Sequence, residues 1–410
     1  MKLLHFADAH IDMANYGRHD SETGLPVRVL DFLKSLDTII DAAIHEKVDM
    51  VIFAGDAYKD RSPAPTFQRE WGRRIIRLSQ AKIPTLLLVG NHDLSPAAGR
   101  AHAIQEFDTL QVPFVKVLQK PEFLRPEQLW DLPVQVIAMP WITRSGLMAN
   151  LALSAANTAE LFSNLESRIS GLIEDFIQEA DQTLPLILTA HASIEGATFG
   201  AERMVMLGSD LVLPTSVVKD PRLDYVAMGH IHKPQDVNQG HHPPVVYPGS
   251  IERIDFGEAN EDRCFVIATI EKGKDTEYEW VKIEGTRQFI ERWATLTSSE
   301  NVTEFLKSYL PRDLAEAIVK LTVEYPREWD VLIDEPALRK HAEQAFEFHL
   351  VKKPKTASRV RIPEGQVVSS MSPLDLLAQY FDSTKVNNKD DLQKLAMEII
   401  SDSFADGKRP

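Results

Sequence analysis

Pro84-Thr85-Leu86-Leu87-Leu88-Val89-Gly90-Asn91-His92-Asp93 runs an apolar segment straight into a turn and three side chains that can ligate. The apolar part has the length and aliphatic content of a strand buried on both faces. Gly90 suits the turn, while Asn91, His92 and Asp93 bring oxygen and nitrogen donors to the end of that strand. The same layout recurs along the chain. Residues 2–7 are expected as a strand ending at Asp8-Ala9-His10, and 50–54 as a strand ending at Gly55-Asp56. Residues 186–189 lead to His191, and 225–228 lead to Gly229-His230-Ile231-His232.

Helical stretches separate the first strands. Val29, Leu33, Leu36, Ile40 and Ala43 fall at helical spacing, so 28–47 is expected as a helix with one buried stripe, and 66–80 as a second. Further strands are expected at 134–139, 245–247, 264–270 and 276–283. The last three follow one another through short turns, which breaks strict strand–helix alternation. The pattern predicts an α/β fold, either one mixed sheet or two sheets stacked between helices.

The strand ends matter because an open α/β sheet places its ligand site at the carboxyl edge of its strands. Five ends converging there gather two Asp, one Asn and four His. Imidazole mixed with carboxylate favours manganese, iron or zinc over calcium. Two carboxylates against two divalent ions leave the cluster net positive, suited to a phosphate oxygen and an ionised water. The chain has no Gly-rich phosphate loop, no Walker lysine and no thiol placed as a nucleophile. Water activated by the ions is the simplest attacker.

The chain has 410 residues, long enough for two or three domains, with 45 Lys plus Arg against 60 Asp plus Glu. The net charge of −15 lowers the expectation of nucleic-acid binding. The balance is uneven, however: residues 351–363 hold Lys352, Lys353, Lys355, Arg359 and Arg361 without an acid. Cys264 is the single cysteine, which excludes an intrachain disulfide and a Cys-built metal site. No apolar run reaches the ~18 residues of a membrane span, and the N-terminus is too polar for a signal-peptide core. A cytoplasmic protein is expected.

The ordered set Asp8-Ala9-His10, Gly55-Asp56, Gly90-Asn91-His92-Asp93, His191 and Gly229-His230-Ile231-His232 resembles the calcineurin-like metallophosphoesterases. Gly229 to Gln235, followed by Tyr247-Pro248-Gly249-Ser250-Ile251-Glu252-Arg253, is similar to their SbcD-type DNA-repair nuclease branch. The resemblance implies two stacked mixed β-sheets flanked by helices in residues 1–284. It also implies an α+β capping domain at 285–351, a basic linker at 352–371, and a helical pair at 372–410 that docks a partner ATPase. One ion would be held by Asp8, His10, Asp56 and His232, and the other by Asp56, Asn91, His191 and His230, with Asp56 bridging. His92 would stabilise the transition state or protonate the leaving oxygen, and Asp93 would orient His92. Manganese is the implied cofactor, with magnesium, iron or zinc as other divalent options. The implied activity is 3′-to-5′ exonuclease and endonuclease cleavage of DNA, in a homodimer with an SbcC-like coiled-coil ABC-type ATPase and no membrane. A small-substrate phosphodiesterase and a non-catalytic scaffold are the rival readings.

Two departures from the family pattern stand in the motifs. Asp12 occupies the place of a frequent Gly in Asp-x-His-x-Gly, which predicts a slightly altered first loop. Lys59 stands where relatives carry His or Asp. Arg18, Arg61, Arg203 and Lys233 lie in loops next to the motifs and are candidates for backbone phosphate contacts.

Overall fold

A computed structural model describes residues 1–94, 101–142, 158–200, 212–355, 373–384 and 389–405. They divide into two compact units, Met1–Glu291 with Ala315–Val319 and Ala345–Glu347, and the remainder of the described chain from Arg292 on. In the first unit the strands are β1 (Lys2–Phe6), β2 (Met50–Phe53), β3 (Thr85–Leu88), β4 (Val115–Leu118), β5 (Glu122–Leu124), β6 (Gln135–Met139) and β7 (Leu186–His191). They continue with β8 (Ser193–Ile194), β9 (Val212–Leu213), β10 (Tyr225–Gly229), β11 (Gln235–Asp236), β12 (Val245–Tyr247), β13 (Cys264–Thr269) and β14 (Glu277–Lys282).

Two six-stranded sheets result, ordered β14-β13-β1-β2-β3-β4 and β11-β12-β10-β7-β6-β5. In the first, β1 to β4 are parallel and β13 pairs antiparallel with β1 and β14. In the second, β12, β10, β7 and β6 are parallel, and β11 and β5 close the edges antiparallel. The two stacked mixed sheets are thus the ones anticipated. β4 and β5 were not expected: both are short edge strands, and Lys116 and Glu122 break their apolar pattern.

Strand alternation sets the layers, since successive side chains point to opposite faces. Leu3, Ile52, Leu86 and Leu88 of one sheet pack with Val136, Ala138, Ile187 and Ala227 of the other. On the outer face of the first sheet, Leu4, Phe6, Val51 and Phe53 meet helix α1 (Val27–His45) and helix α2 (Pro65–Gln80) through Phe32, Leu36, Ile40, Trp71 and Ile75. On the far face of the second, Ile137, Leu188 and Val226 meet Ile169, Ile173 and Ile177 of helix Thr158–Glu179. The order is helix, sheet, sheet, helix. Each aliphatic side chain fully buried there contributes about 1.5–3 kcal/mol relative to exposure.

His5 is the polar exception between the sheets. It is fully buried, with Nδ1 3.1 Å from Tyr225 Oη and Nε2 3.2 Å from Met228 O. Burial pushes its pKa down to about 3, so it is neutral. It ties β1, which leads to Asp8, to β10, which leads to His230.

The remaining part of the chain carries a three-stranded sheet of β15 (Phe289–Thr295), β16 (Ile318–Pro326) and β17 (Glu347–Lys355), with helices Val302–Tyr309 and Glu335–His341. Lys352 to Lys355, expected to begin the linker, instead extend β17. β17 is an edge strand, where Pro354 removes no essential ladder bond. The rest of the expected linker, with Arg359 and Arg361, lies outside the described residues. Helices Pro373–Thr384 and Lys389–Ala405 follow. No helix among the described residues is long and apolar enough to cross a membrane.

Candidate metal centre

Asp8 and His10 follow β1, Asp56 follows β2, Asn91 follows β3, His191 ends β7, and His230 and His232 follow β10. These are the carboxyl ends of parallel strands from both sheets, and the seven side chains meet there. The turns that bring them in are unusual. Asp8, His10, Asp56 and His230 have φ of 49°, 39°, 63° and 99°, left-handed values that cost non-glycine residues about 1–3 kcal/mol each. Hydrogen bonds hold the first two loops in this shape: Asp8 N donates to Gly55 O at 3.0 Å and Ala9 N to Asp56 O at 2.9 Å. The preceding glycines are a packing requirement, since a Cβ on Gly55 would overlap His191 Nδ1 and one on Gly229 would overlap Ala54 O.

The ring nitrogens decide what the centre can hold. His191 Nδ1 lies 2.7 Å from Ala54 O and His10 Nδ1 lies 3.2 Å from Tyr58 O. A carbonyl only accepts, so these Nδ1 atoms carry a proton, and Nε2 is the nitrogen each ring can offer to a metal, which displaces any second proton. His232 Nδ1 likewise faces the Glu258 carboxylate at 3.0 Å. His10 Nε2 and His232 Nε2 then confront each other at 3.1 Å. His191 Nε2 stands 2.9 Å from Asn91 Oδ1, and His230 Nδ1 stands 3.0 Å from the same oxygen. Two ring nitrogens as close as those of His10 and His232 need a cation or a shared proton between them, and Asn91 Oδ1 offers both His191 and His230 an oxygen at the same short range. Ligand atoms about 2.1 Å from one ion sit about 3 Å apart when adjacent, the separation found here. The donor set therefore fits divalent cations.

Two groups of carboxylates and imidazoles emerge: Asp8, His10 and His232, and Asp8, Asp56 and His191. Asp56 Oδ2 is 3.4 Å from His191 Nε2 and 4.0 Å from His10 Nε2, so one oxygen faces both halves of the centre. Its neighbours act on it accordingly: burial opposes ionisation, but His191 beside it holds the Asp56 carboxyl below the usual range. Burial acts to lower His191, yet Asp56 and Asp8 raise it to about 9. Burial, then the adjacent His232, drives His10 well down, and burial lifts Asp8 to about 7. Two buried carboxylates compete for too little positive charge, and divalent cations at the centre would supply it.

His92 is half-buried beside the cluster, its ring 5.2 Å from that of His10 in an edge arrangement. The expectation that Asp93 orients it is corrected by the structure. Asp93 is fully buried and its carboxylate accepts from Gly90 N at 2.9 Å, Asp56 N at 3.0 Å and Ala57 N at 2.9 Å. These three backbone donors, none of them on His92, are its partners. His92 is held by the carbonyl of Lys59, 2.7 Å from Nδ1, and its own N–H donates to Asp56 Oδ1 at 2.8 Å.

Glu258 was not singled out in the sequence. It is buried, accepts from Ser250 Oγ, Ile254 N and Arg263 Nη1, and turns its other oxygen to His232. Burial raises its pKa, but the His232 bond and the Arg263 charge outweigh this and lower it overall. An acid in a short turn carries no local signal of such a contact. Trp141 is a second omission, its ring 4.9 Å from that of His230. Of the loop cations, Arg18 lies over the Phe346 ring at 4.9 Å, and Arg203 lies outside the described residues. The exposed Lys59 sets its ammonium 3.6 Å from Met13 Sδ.

Several known proteins resemble this sequence. The SbcD component of the SbcCD nuclease from Escherichia coli K12 is 25% identical over 280 residues, covering 67% of this chain and 66% of that protein. The chain thus spans just under two thirds of that relative. The corresponding SbcD component from Rhodobacter capsulatus is 27% identical over 288 residues, 67% of each chain. The DNA double-strand break repair protein Mre11 of Archaeoglobus fulgidus is 24% identical over 294 residues, 69% of this chain and 59% of that one. A solved dimetal phosphatase from Danio rerio aligns with a TM-score of 0.36 at 10% identity, covering 69% of this chain and 99% of that one, too slight a likeness to bear on the fold. The calcineurin-like phosphoesterase pattern matches residues 1–234, more than half of the 410. By that match the chain belongs to the calcineurin-like phosphoesterases, a family built on a dinuclear metal site.

Proposed function

We propose that this chain is the nuclease subunit of an SbcCD-like assembly, hydrolysing DNA phosphodiesters by 3′-to-5′ exonuclease and endonuclease action. The observation that carries the reading is the convergence of ligand atoms about 3 Å apart, His10 Nε2 with His232 Nε2 and His191 Nε2 with Asn91 Oδ1, either side of Asp56. Asp8, His10 and His232 would hold one divalent ion, Asn91, His191 and His230 the other, and Asp56 would serve both. Manganese suits this mixed set of imidazoles and carboxylates. Two such ions, when bound, ionise a water and stabilise the oxygens of an in-line phosphoryl displacement.

The protein groups position and complete that chemistry. Glu258, Ala54 O and Tyr58 O each accept from Nδ1 of His232, His191 and His10 and so orient the rings to present Nε2 for ligation. His92, with Nδ1 committed to Lys59 O, keeps Nε2 for a proton to the leaving oxygen. Trp141 packs on the His230 ring and limits its rotation.

DNA as substrate rests on the names of the nuclease relatives and on the resemblance of this chain's ordered motifs to the SbcD-type branch. An ATPase partner rests on the relatives' designation as one component of SbcCD and on the closing helices, where Tyr380, Leu392, Leu395 and Met397 are exposed. Apolar side chains left in water on amphipathic helices suit a groove on another protein. A homodimer in the cytoplasm completes the proposal. The domain limits proposed are those given above, with the linker beginning after β17.

Cleavage of end-labelled linear DNA with manganese or magnesium, with and without the candidate ATPase, tests the reading. Metal-dependent shortening that chelation abolishes is the expected result. Turnover of a small phosphodiester with intact DNA would favour the small-substrate reading, and neither activity with retained ATPase binding would favour a scaffold.

A further inference from the structure

Asp12 is nearly buried and holds two consecutive backbone N–H groups. Oδ1 accepts from Lys59 N at 2.5 Å and Oδ2 from Asp60 N at 2.9 Å. The far ends of those same two peptides meet the site histidines. The peptide that gives Lys59 N–H to Asp12 turns its Tyr58 carbonyl to His10 Nδ1, 3.2 Å away. The next, which gives Asp60 N–H, turns its Lys59 carbonyl to His92 Nδ1, 2.7 Å away. In a trans peptide N–H and C=O point in opposite directions, so each rigid plane spans from Asp12 to one ring.

We infer that Asp12 is a positioning residue that sets the His10 and His92 rings at once through the Tyr58–Lys59 and Lys59–Asp60 peptides. Its two oxygens fix the rotation of both planes, and with it the direction of both carbonyls. Carboxylate-to-amide bonds are stronger than neutral ones, and the polarised peptide strengthens the carbonyl as acceptor. Lys59 and Asp60 are exposed, so packing does not set their orientation. The rings are separated by 48 and 33 residues from the carbonyls that hold them, so Asp12 couples loops rather than neighbours.

The His92 arm rests on the nuclease reading above, whereas the His10 arm does not. The test uses the full chain, Asp12→Asn, His92→Ala and the double variant, with bis(4-nitrophenyl) phosphate at saturating manganese. Asparagine keeps one acceptor and aims an N–H at the other backbone N–H. Asp12→Asn is expected to lower kcat about 10- to 100-fold with KM nearly unchanged, and to weaken Mn²⁺ binding about tenfold by electron paramagnetic resonance titration. In the His92→Ala background the same change should cost kcat less than about threefold, because the ring it positions is gone. Equal losses in both backgrounds, or unchanged kcat and Mn²⁺ affinity, overturn the inference. If the unaltered chain cleaves neither this ester nor end-labelled linear DNA, the nuclease reading fails and Mn²⁺ affinity alone decides this one. Asp12→Ser, which keeps a hydroxyl acceptor, is read the same way should Asp12→Asn not fold.

Discussion

Asp93 Oδ2 accepts the backbone N–H of Asp56 across 3.0 Å, so the end of one ligand loop holds the centre of another. The same carboxylate takes Ala57 N–H and Gly90 N–H, and no water replaces these bonds in a fully buried setting. Burial, followed by the nearby Asp56 charge, raises Asp93 to about 7, a load the three donors relieve only in part.

Asp93→Ala strands three buried N–H groups. At about 1–3 kcal/mol for each unsatisfied donor, it should destabilise the chain by several kcal/mol. Urea unfolding followed by fluorescence reads this, and a midpoint within error of the unaltered chain would contradict it. Metal stoichiometry should fall with it, since Asp56 loses its anchor.

His92→Ala should retain two metal ions while losing about 10²- to 10⁴-fold in kcat, the range for a positioned general acid. Metal content by mass spectrometry and turnover of a model phosphodiester separate the two effects. Loss of an ion would make His92 a ligand instead.

Glu258→Gln should weaken manganese at the His232 half of the centre about 10- to 100-fold, because the imidazole loses the anion that fixes its tautomer. Calorimetric titration should then resolve one unaffected site and one weakened site. Two equal affinities in the variant would exclude the assignment.

His5 makes stability depend on acid. Its folded pKa is near 3, against 6.5 for an unperturbed imidazole, so the unfolded chain binds the proton first. Its contribution is whole above 6.5 and is lost as pH falls towards 3, with a slope approaching ~1.4 kcal/mol per pH unit. Thermal unfolding from pH 7 to 4 should show a shallower acid limb in His5→Gln, and parallel limbs would refute this.

Deleting residues 373–410 should leave cleavage of a model phosphodiester within about twofold while abolishing co-purification with the ATPase. Retained binding by the shortened chain would place the docking surface elsewhere.

How much of this was readable beforehand differs from residue to residue. The seven proposed ligands stood out because each follows an apolar run, and a strand buried on both faces has nowhere to end but at a sheet edge. His92 stood out with Asn91 for the same reason. The role of Asp93 was misread because adjacency in sequence says little about direction after a turn. Glu258 gave no signal, since its partner His232 lies 26 residues away and its turn resembles any solvated one. β4 and β5 were hidden by the charges that edge strands tolerate.

The amino-acid order alone specified the central strands of both sheets, the two helices between the first three and the residue types delivered to the strand ends, because periodicity and turn chemistry are local. It also excluded a disulfide and a Cys-built centre by composition. Which lone pairs face each other, which carboxylate ligates and which only braces a loop, and which carbonyl holds each imidazole depended on the packed fold. Those are contacts between loops tens to hundreds of residues apart, and no short stretch of chain encodes the direction from which a distant atom arrives.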